Sequence, residues 1–262
     1  MRPLWKRALR KIAIPTARIG LRALTQVFDQ VATPDGQVYT VNRNIHPFDY
    51  LALKRGIYEK DERGLMRALF TPDESIIDIG ANIGVVASTA LEEKLVDGGH
   101  IVCVEPNPKS LYPLRRNMER AVSLRPLRSY EIVERAVSAQ AQGHAHFRQR
   151  DNLSSGLATS TTPNRRDKML CVQTVSLSDL VNRHATHGAS LICDAEGAEI
   201  DMIRKEPDAF GKIRQIVIEL HEPSLTGRPD ATPDIMAGEI EKLGFKCGGR
   251  AGNTFYFAKG PR

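Results

Sequence analysis

From residue 76 onward the chain alternates short apolar runs with longer helix-periodic segments. Ile76–Ile79 predicts a buried strand, Val85–Leu95 a helix, His100–Glu105 a strand and Lys109–Ala121 a helix. Tyr130–Val137 predicts a further strand, and residues 138–175 lack a clear period. Leu191–Asp194 then predicts a strand, Ala198–Phe210 a helix, Gln215–Leu220 a strand and Ile235–Leu243 a helix. Phe245–Lys259 closes the pattern as two strands across a glycine-rich turn. Ahead of this block, residues 37–41 (QVYTV) suit a short strand and residues 59–70 a helix that stops before Thr71-Pro72. Such alternation specifies an α/β fold with a mostly parallel sheet and helices on both faces. Ligands of these sheets sit beyond the carboxyl ends of the strands, so residues just after strands are where chemistry is expected.

The opening segment follows a different rule. Leu4, Trp5, Ala8, Leu9 and Ile12 share one helical face, Arg2, Lys6, Arg7, Arg10 and Lys11 share the other, and Pro15 interrupts the pattern. This is the form of a basic amphipathic helix at a membrane surface, of a helix packed on its own domain, or of an import peptide. Charge sharpens the division. The chain has 262 residues and a formal net charge of +6, from 37 basic and 31 acidic residues. Residues 1–30 hold seven of the basic side chains and one acid, Asp29, so the other 232 residues carry 30 of each sign. A neutral domain has no global field to steer it onto nucleic acid, which is not expected as a partner. Residues 31–262 are long enough for one large domain with its own core. No apolar run reaches the roughly 20 residues of a membrane span. The four cysteines make no CxxC pair, and with no recognisable secretory signal a reducing, cytoplasmic setting is expected, with peripheral membrane contact through residues 1–30 as an added expectation. Cys103 and Cys193, inside predicted strands, read as small apolar fillers.

Asp78-Ile79-Gly80-Ala81-Asn82-Ile83-Gly84 directly follows a predicted strand and opens a predicted helix. Small residues there let a ligand approach the backbone, and the helix start offers free amides. Glu105 ends the next strand 21 residues after Gly84, where a carboxylate accepts hydrogen bonds from ribose hydroxyls. Dinucleotide sites favour G-x-G-x-x-G, whereas here the spacing is Gly80-x-x-x-Gly84 with Asp78 at the start of the turn. A carboxylate repels a pyrophosphate and attracts the ammonium of S-adenosylmethionine. The absence of a Walker lysine argues against a nucleoside triphosphate.

Taken together, DIGANIG at 78–84, VEPNP at 104–108, RAVS at 135–138, NLSSG at 152–156, VSLSDL at 175–180, DAEGAE at 194–199 and IELHE at 218–222, with Tyr58-Glu59 ahead of them, resemble the FkbM family of S-adenosylmethionine-dependent methyltransferases. The resemblance runs from about Ile57 to His221. It implies a class I methyltransferase (Rossmann-like) fold with a seven-stranded sheet whose last strand is antiparallel, and O-methylation, often of sugar hydroxyls on glycans, glycolipids or natural products. It also implies a cofactor site in which Asp78, Gly80, Ala81, Asn82 and Gly84 line the methionine part. Glu105 would hold the ribose beside Pro106 and Asn107, Ala136 would flank the adenine, and Glu59 joins the set through its motif. The family often has lysine two positions before the aspartate of its D-x-E-G element; here that position is Ile192.

Asp194 and Glu196 follow one predicted strand, and Glu219 and His221 end the next, so neighbouring strands would bring all four to one cleft mouth. Methyl transfer needs alignment and a base for the acceptor proton, with Asp194 and His221 as the candidates. Glu196 could instead cap the following helix, and Glu219 could bind loop amides. Three carboxylates also raise a magnesium-type site, but their order matches no dedicated metal motif, so no metal is expected. His144 with His146, and His184 with His187, read as solvated histidines rather than metal pairs. Residues 148–166, polar and rich in Ser, Thr and Asn, read as a loop near the cofactor mouth. The acceptor itself is not written in any motif. Competing readings are a methyltransferase of a peptide or other small molecule, a membrane-docked non-catalytic protein on the same fold, and an NAD-dependent oxidoreductase.

Overall fold

The computed structural model describes residues 29–43, 45–139, 143–149, 156–157 and 168–260. The amphipathic segment 1–30, apart from Asp29 and Gln30, lies outside them, as does most of the 148–166 loop. The described chain opens with an antiparallel pair, β1 (Gln30–Ala32) and β2 (Val38–Thr40). Helix α1 (Pro47–Lys54) starts with proline in its first turn, and His46 caps it by accepting the Phe48 amide. Helix α2 (Lys60–Leu69) leads into β3 (Asp73–Ile79), followed by α3 (Val85–Glu93), β4 (Leu95–Val104), α4 (Pro108–Leu124) and β5 (Ser129–Val133).

Next come β6 (Ala136–Val137), β7 (His144–Gln149), β8 (Gly156–Leu157) and β9 (Lys168–Val175), then α5 (Leu177–His184). The chain continues through β10 (Ala189–Cys193), α6 (Glu199–Lys205), a 3₁₀ turn at Pro207–Lys212, β11 (Ile213–Glu219), α7 (Pro223–Thr226), α8 (Pro233–Lys242), β12 (Phe245–Ala251) and β13 (Thr254–Lys259).

Seven strands form the main sheet in the order β12-β13-β11-β10-β3-β4-β5. All are parallel except β13, which runs against both neighbours. Strand parity explains the two cores. Ile77, Ile79, Val102, Val104, Leu191, Cys193, Ile216 and Ile218 point to the face covered by α5, α6, the 3₁₀ turn and α8. Ile76, Ile101, Cys103, Ile192 and Val217 point to the other, where Met66 of α2, Ala87 and Leu91 of α3, and Leu114 and Met118 of α4 pack. The chain winds outward in both directions from β3 and β10, so the crevice of the sheet opens between their carboxyl ends.

Three expectations change. The run Tyr130–Val137 divides: β5 stays in the main sheet, whereas β6 pairs with β9 in a second, four-stranded sheet ordered β6-β9-β7-β8. The stretch 138–175 therefore holds real strands; β7 alternates outward His144 and His146 with a buried Phe147, a pattern too short to separate from loop by periodicity. The helix expected over Ala198–Phe210 breaks at Glu206, because Pro207 has no amide to donate and restricts the residue before it. Among the described residues no helix is long and apolar enough to cross a membrane.

Candidate active site

The glycine turn sits at the carboxyl end of β3 and is fastened to β4 by Gly80 and Ala81, whose amides both donate to the Val104 carbonyl (2.9 and 3.1 Å). Gly80 has φ +83°, and a Cβ placed there would stand 2.0 Å from the Asp194 carbonyl oxygen. Only glycine lets the turn touch the DAEGAE loop. The neighbouring strand end is tied in by the Asp194 amide, which donates to Ile79 (2.9 Å). Asn82, itself left-handed at φ 50°, donates its backbone N–H to Glu105 Oε2 (2.8 Å) and its side-chain amide to Tyr58 Oη (2.7 Å). Glu105 Oε1 accepts the Asn107 amide at 2.6 Å. Thus Asp78, Gly80, Ala81, Asn82, Gly84, Glu105, Pro106 and Asn107 gather around one turn, with Tyr58 joined to it through Asn82. Glu59, partly buried and left-handed at φ 47°, stands close enough to Asp78 for the two charges to repel.

Ala136 lies in β6 of the second sheet, where its methyl group packs with Phe147 and Val172. The turn that carries it starts where Val133 accepts the Glu105 amide (3.0 Å). Gln149 at the end of β7 links the second sheet to the site, donating to Asn107 Oδ1 at 2.6 Å.

Asp78 is buried, and its Oδ2 has no hydrogen-bond partner among the described residues. Burial, with the charge of Glu105 added, pushes its carboxyl up to about 7. Burial also raises Glu105 to about 7, against the pull of the Asn107 and Asn82 amides. Ile192 is the strand partner of Asp78 in register and is buried among apolar groups, so β10 supplies no cation there. A buried carboxylate without a partner, beside a turn that a side chain would fill, fits a ligand bringing its own positive charge. The ammonium of S-adenosylmethionine meets that requirement, and Glu105 suits its ribose.

Across the Gly80–Asp194 contact lies the polar cluster. His221 Nδ1 is 3.0 Å from Glu199 Oε1, while Nε2 is 3.5 Å from Asp194 Oδ1 and 3.9 Å from Glu196 Oε2. Glu199 has no exposed surface and also accepts the amides of Ala195 (3.0 Å) and Gly197 (3.0 Å). The loop is therefore held by Glu199, and Glu196, left-handed at φ 50°, brings Oε2 to 3.9 Å from His221 Nε2. Glu219 meets Asp194 together with Glu62, a buried residue of α2.

Titration follows from this crowding. Burial and then Glu219 hold Asp194 well above the carboxylate range, although His221 draws it back. Burial, Glu219 and Asp194 do the same to Glu62. Burial alone would lower His221, but Glu199, with its hydrogen bond, and then Asp194 and Glu196 outweigh it and keep the imidazole well above its ordinary value. The crowding thus favours the protonated form of Asp194, Glu62 and His221. Two overlapping sets in it, Asp194 with Glu196 and His221, and Glu62 with Asp194 and Glu219, bring donor atoms within 4.8 Å of one another.

All four expected catalytic residues are brought together. Sequence reading passed over Glu199, Glu62, Tyr58 and Gln149. Glu199 closes the DAEGAE motif and Tyr58 belongs to a noted dipeptide, so both had a signal; Glu62 and Gln149 had none.

The chain is similar in fold to a methyltransferase FkbM from Methylobacillus flagellatus KT, at 14% identity and a TM-score of 0.48, over 74% of this chain and 45% of that one. It thus spans less than half the length of that relative. A precorrin-6y C5,15-methyltransferase from Geobacter metallireducens GS-15 aligns at 15% identity and a TM-score of 0.42, over 84% of this chain and 92% of that one. A protein in the NADB-Rossmann superfamily from Streptococcus agalactiae aligns at 7% identity and a TM-score of 0.40, over 75% and 65%. None of the curated proteins compared matches the chain. The family model described as the methyltransferase FkbM domain matches residues 78–247, well over half of the chain. The chain belongs to the FkbM methyltransferase family.

Proposed function

We propose that this methyltransferase uses S-adenosylmethionine to methylate a hydroxyl group of a sugar, glycan, glycolipid or related natural product. The observation that carries the reading is the contact of Gly80 with the Asp194 carbonyl, which sets the glycine turn directly against the His221 cluster. Asp78 receives the donor's ammonium, Glu105 its ribose, and the turn 80–84 its chain. When bound, the donor supplies an electrophilic methyl group; the protein's task is to align the acceptor and remove its proton. His221, oriented by Glu199 at Nδ1, presents Nε2 to the mouth and takes the hydroxyl proton, with Asp194 as the adjoining acceptor. Glu62, Glu196 and Glu219 provide further hydrogen-bond acceptors, a wall that suits a polyol better than an apolar substrate. Residues 1–30 add a proposed contact with an anionic membrane surface, tested by liposome binding of the full chain against a chain lacking them.

Transfer of label from S-adenosylmethionine to a panel of sugars, glycan extracts and lipid extracts tests the reading. Labelled product carrying an alkali-stable methyl ether is expected. Label found only in peptides would replace the acceptor class, and thermal stabilisation by NAD without stabilisation by S-adenosylmethionine would overturn the donor. Glu105→Ala should weaken donor binding roughly ten- to a hundredfold, the cost of losing charge-assisted bonds to the ribose.

A further inference from the structure

We propose that His100, Glu131 and His184 form a second site, which takes one divalent transition-metal ion of the zinc type and clips the end of α5 to β4 and β5. The donor atoms of the three side chains lie within 4.8 Å of one another. They come from three separate elements: His100 from β4, Glu131 from the edge strand β5, and His184 from the last residue of α5. His100 precedes Glu105 by five residues, so the group stands about 16 Å from the cofactor turn along the strand.

The ligand chemistry narrows the ion. Two imidazoles and one carboxylate match zinc and its neighbours, whereas calcium and magnesium prefer oxygen alone. The His184 side chain is only 9% exposed, and its Nε2 is buried without a hydrogen-bond partner among the described residues. Such a nitrogen is costly to bury unmatched, and a metal bond would satisfy it. Nδ1 of the same ring is 3.9 Å from Glu131 Oε2, too far for a hydrogen bond. The His100 and His184 rings lie nearly parallel, 6.3 Å apart at 21°. Ser129 Oγ sits 2.9 Å from His100 Nδ1, and Ser75 Oγ donates to the backbone carbonyl of His184 at 2.7 Å, which anchors the end of α5. An outer partner on a ring nitrogen, such as Ser129, fixes the orientation of a ligating histidine.

Donors on a tetrahedral zinc stand about 3.3 Å apart, so the set must close slightly. Glu131, with its side chain 47% exposed, is free to swing inward and leaves the ion a path from solvent. Three protein donors leave a fourth position for water.

The test is titration of metal-stripped, full-length protein with cobalt(II), read by visible absorption and competed with zinc. Because His221 and Asp194 also offer donors, the titration is repeated in His221→Gln and Asp194→Asn. One equivalent of four-coordinate cobalt should persist in those two variants. It should weaken at least tenfold in Glu131→Ala, whose exposed side chain can be removed without unfolding, and vanish in the double variant His100→Gln, His184→Gln. No uptake by the parent would overturn the proposal, as would uptake that is unchanged in Glu131→Ala and the double variant, or lost in His221→Gln alone.

Discussion

Nδ1 of His221 lies 3.0 Å from Oε1 of Glu199, a carboxylate with no surface exposed to solvent. This pairing sets the ring's orientation and leaves Nε2 to face Asp194 and Glu196. The same charge raises the imidazole well above its ordinary value, which favours the protonated ring, and that ring must lose its proton before it acts as a base.

Turnover should therefore climb with pH through a limb placed above the usual histidine range of about 6.5. Glu199→Gln should move that limb to lower pH, because removing the negative charge lets burial pull the imidazole down. It should cut turnover by about 10- to 100-fold while donor affinity changes little. His221→Ala should cost about 10²–10⁴-fold, the range for a positioned base. A pH profile of Glu199→Gln superimposable on that of the parent would remove Glu199 from this role.

On the proposed reading Asp78 and Glu105, both near 7 in the ligand-free protein, ionise to receive an ammonium and a ribose. Donor binding should release protons and weaken as pH falls below 7; calorimetry in buffers of different ionisation enthalpy measures the count. The same shift acts on stability. Asp78 keeps its proton in the folded chain up to about 7 but loses it near its ordinary 3.8 when unfolded, so the ligand-free protein should lose stability as pH rises from about 4 through 7. Asp78→Asn should flatten that loss and abolish most donor affinity. Ile192→Lys, which places an ammonium beside Asp78 in register, should lower the pH at which protons are released.

Gly80→Ala should be damaging out of proportion to one methyl group. A left-handed alanine costs about 1–3 kcal/mol in backbone strain. Its Cβ would also press on the Asp194 carbonyl, so the turn or the catalytic loop must shift. Thermal melting and turnover together check this: a lowered Tm with unchanged turnover would mean that the two loops move independently.

Transfer should survive EDTA, with the protons handled by His221 and Asp194. Loss of turnover on chelation, restored by magnesium, would convert Asp194, Glu196 and Glu219 from base and positioning groups into ligands.

The alternation of strand and helix, the glycine turn and the acid at the end of β4 were all legible because each is a local property. Period-2 and period-3.6 patterns, a positive φ at Gly80 and a carboxylate one strand later depend on residues close in the chain. Neighbouring strands then gathered Asp194, Glu196, Glu219 and His221 as expected, since parallel register follows from the same alternation. What the tertiary structure alone decided is how their charges are matched. Glu62 reaches Glu219 from a helix 157 positions earlier, and Glu199 turns inward to His221. Both break the expectation that glutamate seeks water, an expectation that holds only until desolvation is offset by particular neighbours. The placement of His184 against His100 and Glu131, and of Ile192 against Asp78, likewise follows from packing between separate elements. Spacing along the chain carries no trace of either, because the partners meet only once the sheet has formed and its helices have docked.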